Sequence, residues 1–150
     1  MYTIVEEIMI YRDPQTVFHY ICDFTNDVKW RSGVIAMKQS TCGFTETGTV
    51  TRETIKLLGH KWTNLAKITG CEENKKISFK VVKGIEGVSG YRSVYEIANN
   101  CTGFIYSLSI NPQGIFKIIT PLIQKSFRKR IRKDLRKLKQ LLEQKRALAA

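Results

Sequence analysis

The side chains best suited to proton transfer are histidine and tyrosine residues that lie in strongly alternating segments. His60 begins one such segment, and Tyr91 and Tyr106 occur in later ones. An imidazole beside a phenol would form a base and acid pair. However, no carboxylate lies near His60 in the sequence to orient its ring, and Gly59 before it indicates a tight turn. We therefore weigh His60 as a candidate base against the simpler interpretation of an exposed turn residue.

Charged residues also occur inside the alternating segments, where they could meet in a cavity. Arg52 and Glu53 are adjacent, and Arg92 precedes Glu96 by four residues. Charged side chains are almost never fully buried unless they are paired, so we expect both sets to face solvent. Asp23 and Asp27 flank a predicted helix junction and are expected to act as caps.

The cysteines do not form a metal-binding or disulfide pattern. Cys22, Cys42, Cys71 and Cys101 are widely spaced, without a Cys-x-x-Cys pair. No stretch approaches the roughly eighteen uninterrupted apolar residues of a membrane span, and the opening MYTIVEEIMI lacks the layout of a signal peptide. We therefore predict reduced thiols, no metal, no cofactor and a cytoplasmic location.

The length and composition predict a single globular domain over residues 1–150. The chain is 43% hydrophobic and 25% charged, which is ordinary for such a domain. Periodicity changes along the chain from alternating to helical, with turn residues between the segments. The predicted strands are 2–10, 34–39, 49–57, 60–71, 75–83, 89–97 and 102–110, and the predicted helices are 14–22, 28–31 and 114–144.

The last helix carries an apolar stripe on one side and a crowded basic face on the other. Apolar residues recur at steps of three and four residues, so one face must be buried. Pro121 lacks an amide hydrogen and is expected to divide the helix into a short and a long segment. Between Lys117 and Arg146 there are twelve lysines and arginines against two carboxylates, a net charge of +10 out of +12 for the whole chain.

The order of these elements resembles the helix-grip fold of the START-like superfamily, also called SRPBCC, in its polyketide cyclase/dehydrase and lipid-transport branch. The segments that carry the similarity are IYRDPQTVF (10–18), DFTNDVKWRSGV (23–34), GFTETGTV (43–50), YEIANNCTGFIYS (95–107) and DLRKLKQLLE (134–143). The resemblance implies an α+β fold: a curved, seven-stranded antiparallel sheet, two short helices after the first strand, and a long C-terminal helix over a cavity. It also implies a hydrophobic ligand, but no shared set of catalytic residues.

Alternation then selects the side chains expected on the concave face of the sheet and on the facing side of the long helix. The group mixes aliphatic, aromatic and a few polar residues, as in pockets for mostly apolar ligands. The alternative is that these side chains simply fill a core. The predicted ligand-binding residues are Trp62, Asn64, Phe79, Tyr91, Tyr95, Phe104, Tyr106, Phe116, Ile119, Ile123 and Phe127.

The basic face of the long helix has several interpretations. Its cations would suit an anionic membrane or an acidic partner, while a solvated outer face explains them equally well. Nucleic acid is less favoured, because no groove-reading motif is present and few aromatic residues interleave the charges. The residues predicted for this contact are Arg128, Lys129, Arg132, Lys133 and Arg136.

Three functions follow from these patterns. The first is a carrier or sensor of a small hydrophobic, lipid- or polyketide-like molecule, with peripheral membrane contact through the basic helix. The second is a cyclase/dehydrase-like enzyme. The third is a module that binds nucleic acid or an acidic protein through the C-terminal helix. The sequence favours the first, because no convincing acid, base or metal set emerges, and it leaves the oligomeric state open.

Overall fold

The computed structural model describes the backbone of residues 1–111 and 116–149, and the side chains of 1–111 and 123–144. A 3-10 turn, Phe24–Asn26, joins the first two helices. The strands are β1 (Tyr2–Ile10), β2 (Val34–Gln39), β3 (Val50–Leu57), β4 (His60–Glu72), β5 (Lys76–Lys83), β6 (Val88–Ala98) and β7 (Cys101–Ile110), and the helices are α1 (Pro14–Cys22), α2 (Asp27–Trp30) and α3 (Phe116–Ala149).

Local sequence signals explain where the first helices begin. Asp13 caps α1 by accepting a 2.9 Å hydrogen bond from the amide of Thr16, and Pro14 occupies the first turn. Asp23 caps the 3-10 turn in the same way, through the amide of Thr25. The predicted cap role of Asp27 is wrong, because its carboxylate is fully buried and pairs with two arginines, as described below.

The described strands form one antiparallel sheet in the order β1-β7-β6-β5-β4-β3-β2. The predicted α+β helix-grip architecture is therefore confirmed. Register shifts interrupt three of the pairings, β2 with β3, β4 with β5, and β6 with β7. Such bulges bend the strands and increase their twist, which curls the sheet around its inner face.

The helix α3 covers part of that inner face. Ile131, Leu135, Leu138 and Leu142 are at most 6% exposed and pack into the core, as the apolar stripe predicts. The helix is continuous from Phe116 to Ala149, so the predicted division at Pro121 is not observed. In the described part of the chain, no helix has the length and apolarity that spanning a bilayer requires.

The strand β6 faces the opposite way from our prediction. Its two-residue turn pairs Ala98 with Cys101, and a regular continuation would place Tyr95 opposite Phe104. A bulge between Glu96 and Ala98 shifts the pairing by one residue, so Val94 lies opposite Phe104 instead. Because side chains alternate between faces, this single shift turns the tyrosines of β6 outward and its even-numbered residues inward.

Candidate functional site

A cavity of about 480 Å³ lies between the inner face of the sheet and the helix α3. Most of its lining is apolar, and a small polar group lies among the apolar side chains. The polar lining residues are Tyr2, Arg31, Thr51, Glu53, Asn64, Glu86, Arg92 and Tyr106. The apolar and aromatic lining includes Phe24, Met37, Ile55, Leu57, Trp62, Phe79, Val81, Leu108, Ile110, Ile123 and Phe127.

Six of the residues predicted to bind a ligand line this cavity. The strand β4 contributes Trp62 and Asn64, and the strands β5 and β7 contribute Phe79 and Tyr106. From the helix α3, Ile123 and Phe127 face the sheet. The alternation on these three strands therefore places the residues on the inner face as predicted.

Other predicted residues lie elsewhere. Tyr91 and Tyr95 are on the outer face of the sheet, because of the bulge in β6; the Tyr95 hydroxyl bonds to Glu7, and Lys76 lies over the Tyr91 ring. Phe104 is fully buried in the core, where its ring packs edge-on against Trp30. His60 is exposed at the start of β4 and does not line the cavity. The side chains of Phe116 and Ile119 lie outside the described residues.

A network of four charged side chains includes the polar wall of the cavity: Arg31, Glu53 and Arg92 line the cavity, and Asp27 lies buried behind them. Asp27 accepts two hydrogen bonds from Arg92, at 3.0 and 2.5 Å, and Arg31 Nη1 lies 2.9 Å from Asp27 Oδ2. The same Arg31 nitrogen lies 2.6 Å from Glu53 Oε1. Because two arginines face two carboxylates, the network is neutral when all four are ionised.

The side chain of Asn64 links this network to the segment after β5. Its amide nitrogen lies 3.3 Å from Glu53 Oε2, and its oxygen accepts a 2.9 Å hydrogen bond from the amide of Ile85. Gly84, with φ of 113°, allows the chain to pass close to Asn64, where a Cβ would overlap the Asn64 side chain. Both ends of the Asn64 amide are therefore hydrogen-bonded within the protein, so the side chain has a fixed position in the cavity wall.

Arg92 is the most enclosed member of the network. Its guanidinium lies 4.0 Å above the ring of Phe24 and also donates a 2.8 Å hydrogen bond to the carbonyl of Ile21. Its side chain is 1% exposed, and that of Asp27 is not exposed at all. The prediction that Arg92 faces solvent is wrong, because aromatic rings, a carbonyl and a carboxylate replace its hydration.

Arg31 and Glu53 are more accessible, with side chains 22% and 14% exposed. Burial would lower the pKa of Arg31, but the carboxylates of Glu53 and Asp27 outweigh it and hold that pKa well above its usual value. Only Nη1 of Arg31 hydrogen-bonds to residues of the described chain. Arg31 is therefore a fixed cation in the cavity lining, and its other N–H groups can donate hydrogen bonds to a ligand.

Sequence reasoning missed this network, although two signals pointed to it. Asp27 and Arg31 are four residues apart, the spacing at which side chains meet on one face of a helix. Glu53 alternates with Ile55 and Leu57, which marks its face of β3 as the inner one. The inward position of Arg92 had no such signal, since it depends on the bulge in β6.

The chemistry available here does not include a metal centre built from the described residues. No group of three or more histidines, cysteines and carboxylates that could hold a metal ion occurs in that part of the chain. The titratable side chains that line the cavity are Arg31, Glu53 and Arg92 of the charged network, together with Tyr2, Tyr106 and Glu86. The arrangement can hold an apolar body and hydrogen-bond one polar group.

The five basic residues of α3 that were predicted to contact a membrane or partner divide into two sets. Arg128 and Arg132 lie 3.6 and 2.8 Å from the carboxylate of Glu6 on β1. Lys129, Lys133 and Arg136 are exposed, and they form no ion pair with the described side chains. The second set therefore keeps its full charge toward the surroundings.

Comparisons with known proteins agree with this architecture. The family model described as polyketide cyclase / dehydrase and lipid transport matches residues 1–143. None of the curated proteins matches the sequence. Among solved structures, a START superfamily protein from Mycobacterium smegmatis has a TM-score of 0.78 at 13% identity, with 95% of this chain and 97% of that chain covered.

Two further solved structures show the same fold. A protein from Thermus thermophilus has a TM-score of 0.77 at 16% identity, covering 92% of this chain and 94% of that one. The Zhui aromatase/cyclase from a Streptomyces species has a TM-score of 0.74 at 10% identity, covering 95% and 93%. With the family match extending over almost the whole sequence, the chain belongs to the polyketide cyclase/dehydrase and lipid-transport family of START-like proteins.

Proposed function

We propose that this protein binds a small, mostly apolar molecule in the cavity, as a carrier or sensor. The observation that carries the proposal is the combination of about 480 Å³ of space with a largely apolar lining and one polar wall. Cavities of this size, with few convergent polar groups, are typical of small-molecule sites. Trp62, Phe79 and Phe127 would contact the apolar body of the ligand.

The polar wall favours a ligand with an uncharged polar group that can both donate and accept. Arg31 offers donors and Glu53 offers an acceptor, and the two lie 2.6 Å apart. An added charge would unbalance a network that is neutral with its two arginines and two carboxylates, at a cost that burial increases. A hydroxyl or a primary amide meets both groups without adding charge.

A cyclase/dehydrase-like reaction is the alternative for the same cavity. It would require a proton acceptor beside the ligand, and the candidate His60 is exposed at the turn rather than in the lining. Two carboxylates line the cavity, and of these Glu53 is already held by Arg31 and Asn64, while Glu86 is exposed. The arrangement therefore supports binding more directly than proton transfer.

A second proposed property is peripheral contact with an anionic membrane through α3. Lys129, Lys133 and Arg136 are exposed and unpaired among the described side chains, so their charge is available to acidic headgroups. A bilayer is also the reservoir from which an apolar ligand would be collected, which favours it over nucleic acid. The four free thiols accord with a reducing, cytoplasmic setting for such a carrier.

The experiment that tests the binding proposal is native mass spectrometry of the freshly purified protein, followed by organic extraction. We expect a discrete adduct that Trp62→Ala and Glu53→Gln reduce, and that Ile97→Ala, an exposed control outside the cavity lining, leaves intact. Uptake that is equal in all three variants would remove the cavity as the binding site. His60→Ala should bind and act like the parent protein, and a loss of turnover in that variant would support the enzymatic alternative.

A further inference from the structure

The turn between β3 and β4 breaks two local rules of β-hairpins at the mouth of the cavity. Leu57 pairs with His60, so Leu58 and Gly59 form a two-residue turn, and both have positive φ, 51° and 78°. Turns of this kind favour Asn-Gly or Asp-Gly, because a leucine side chain is strained at positive φ. The other described non-glycine residues with positive φ are Asn74 and Asn100, which follow the rule.

The second exception is a pair of like charges on the same hairpin. Lys56 lies directly opposite Lys61 in the register of β3 and β4, and both are exposed. Like charges placed opposite each other destabilise an antiparallel pair. Strain and repulsion that fold stability does not require tend to occur at functional sites.

The hairpin therefore combines an exposed apolar tip at the edge of the cavity with Lys56 and Lys61, which alternation places on the outer face of the same hairpin; we call these two lysines the basic collar. Leu58 is 63% exposed and Trp62 is 36% exposed, and both line the cavity. The backbone strain at Leu58 and the repulsion between the two lysines therefore occur on an exposed surface. Neither is needed for packing of the core. Glu86, in the segment between β5 and β6, is an exposed carboxylate that also lines the cavity.

The basic collar continues onto the helix α3. A Cβ added to Gly33 would lie 2.9 Å from Nη1 of Arg130 and 3.6 Å from the carbonyl oxygen of Lys56. The guanidinium of Arg130 is therefore close to the base of the hairpin. The helix α3 thus adds an arginine beside the hairpin that carries the two lysines.

We propose that the β3–β4 hairpin tip, Leu57–Trp62, docks onto an anionic lipid bilayer, with Leu58 inserted among the acyl chains and Lys56 and Lys61 beside the headgroups. Insertion would bury the exposed leucine side chain, and anionic headgroups would relieve the repulsion between the lysines. Docking there would turn the cavity mouth toward the membrane. The inference rests on the proposed function for its biological sense, but it concerns a different surface from the α3 face.

The test is co-sedimentation of the purified protein with vesicles of phosphatidylcholine, with and without phosphatidylserine. Leu58→Asn should weaken binding to the phosphatidylserine vesicles about tenfold, the value of burying one leucine side chain. It should not lower the melting temperature, because asparagine accepts positive φ. Lys56→Gln and Lys61→Gln should each weaken binding about fivefold, again without loss of stability.

The controls are Val82→Thr, which changes an apolar side chain that is 56% exposed on β5, and Lys80→Gln on the same strand. Both should bind vesicles like the parent. Unchanged binding by Leu58→Asn, or a parent that binds both vesicle types equally or neither, would overturn the proposal. Tight binding to polyglutamate that Leu58→Asn does not affect would indicate that Lys56 and Lys61 bind an acidic protein instead of a bilayer. That result would also overturn the proposal.

Ligand uptake measured by native mass spectrometry without vesicles separates the two proposals. If the vesicle experiment fails while uptake persists, the cavity function stands and the hairpin docking falls. If uptake is absent while Leu58→Asn still weakens vesicle binding, the hairpin-docking proposal is retained and the ligand-binding proposal is rejected.

Discussion

Arg92 and Asp27 lie 65 positions apart in the sequence and form a two-pronged ion pair in the interior, with side chains 1% and 0% exposed. The pair ties β6 to α2, and Arg31 extends it to Glu53 at the cavity wall. An ion pair this deeply buried is costly to assemble and costlier to break. It therefore fixes the relative position of the elements that form the polar wall.

Replacing Asp27 should destabilise the protein far more than replacing an exposed carboxylate. We expect Asp27→Ala to lower the free energy of unfolding by about 3–5 kcal/mol, because Arg92 would remain as an uncompensated buried charge. Chemical denaturation measures this, with the exposed Glu72→Gln as control. A loss below about 1 kcal/mol would show that Arg92 finds other compensation. In a double-mutant cycle with Arg92→Met, the two losses should not be additive.

Ligand binding should distinguish the two faces of the sheet. Phe79→Ala should weaken ligand uptake, because Phe79 lines the cavity, whereas Tyr91→Phe and Tyr95→Phe should leave it unchanged on the outer face. Removing an aromatic contact of this kind costs about tenfold or more in affinity. Titration with the extracted ligand provides the measurement. A loss in both tyrosine variants would argue for the regular register of β6 without the bulge.

Two glycines of the sheet should respond differently to an added methyl group. At Gly90 a Cβ would overlap the backbone carbonyl oxygen of Ser107 and lie 2.8 Å from Phe79, whereas at Gly70 it would meet no atom of the described residues within 4 Å. Gly90→Ala should therefore lower the free energy of unfolding by about 1–3 kcal/mol. Gly70→Ala should leave it unchanged or raise it by about 0.5 kcal/mol. Equal effects in thermal denaturation would contradict the close approach of β6 and β7 at Gly90.

The thiol of Cys22 should be unreactive in the folded protein. Burial, with a smaller contribution from Cys71, raises the pKa of Cys22 from 9.0 to about 12. At pH 8 an alkylating reagent should therefore label the exposed Cys42 and spare Cys22 until the protein unfolds. Mass spectrometry of labelled peptides measures this, and equal rates at the two sites would contradict the burial.

The same pKa shift predicts a loss of stability at alkaline pH. Well below pH 9 both the folded and the unfolded protein keep the proton on Cys22, so this residue adds no pH dependence there. Between pH 9 and about 12 the unfolded state loses that proton first, and unfolding becomes more favourable. Denaturation at several alkaline pH values should show a smaller decline for Cys22→Ala, and parallel declines would speak against the shift.

The exposed basic set on α3 should contribute to membrane affinity by charge alone. Replacing Lys129, Lys133 and Arg136 by glutamine should weaken binding to anionic vesicles by about 1 kcal/mol per residue and flatten its salt dependence. The matched control changes three exposed lysines of the sheet to glutamine, Lys38, Lys67 and Lys80. Equal losses in the two triple variants would show that only net charge matters, and that the helix face is not a docking surface.

Most of the architecture of this protein follows from local signals in its sequence. Strand and helix periods, the Asp13-Pro14 start of α1 and the Asn99-Asn100 turn all lie within short segments, so element types and order depend on residues close together in the chain. The inner faces of β4, β5 and β7 were predictable for the same reason, since alternation within one strand needs no partner. The stripe of α3 that packs on the sheet was likewise readable from its spacing.

The way in which those elements meet depends on contacts between distant parts of the chain. The bulge at Glu96 to Ala98 reverses the faces of β6, which turns Tyr95 outward and Arg92 inward. Arg92 then remains buried because Asp27, distant in sequence, supplies the opposite charge beside the Phe24 ring and the Ile21 carbonyl. A register shift and a long-range ion pair each depend on partners that the local sequence does not specify, and together they placed the polar wall of the cavity.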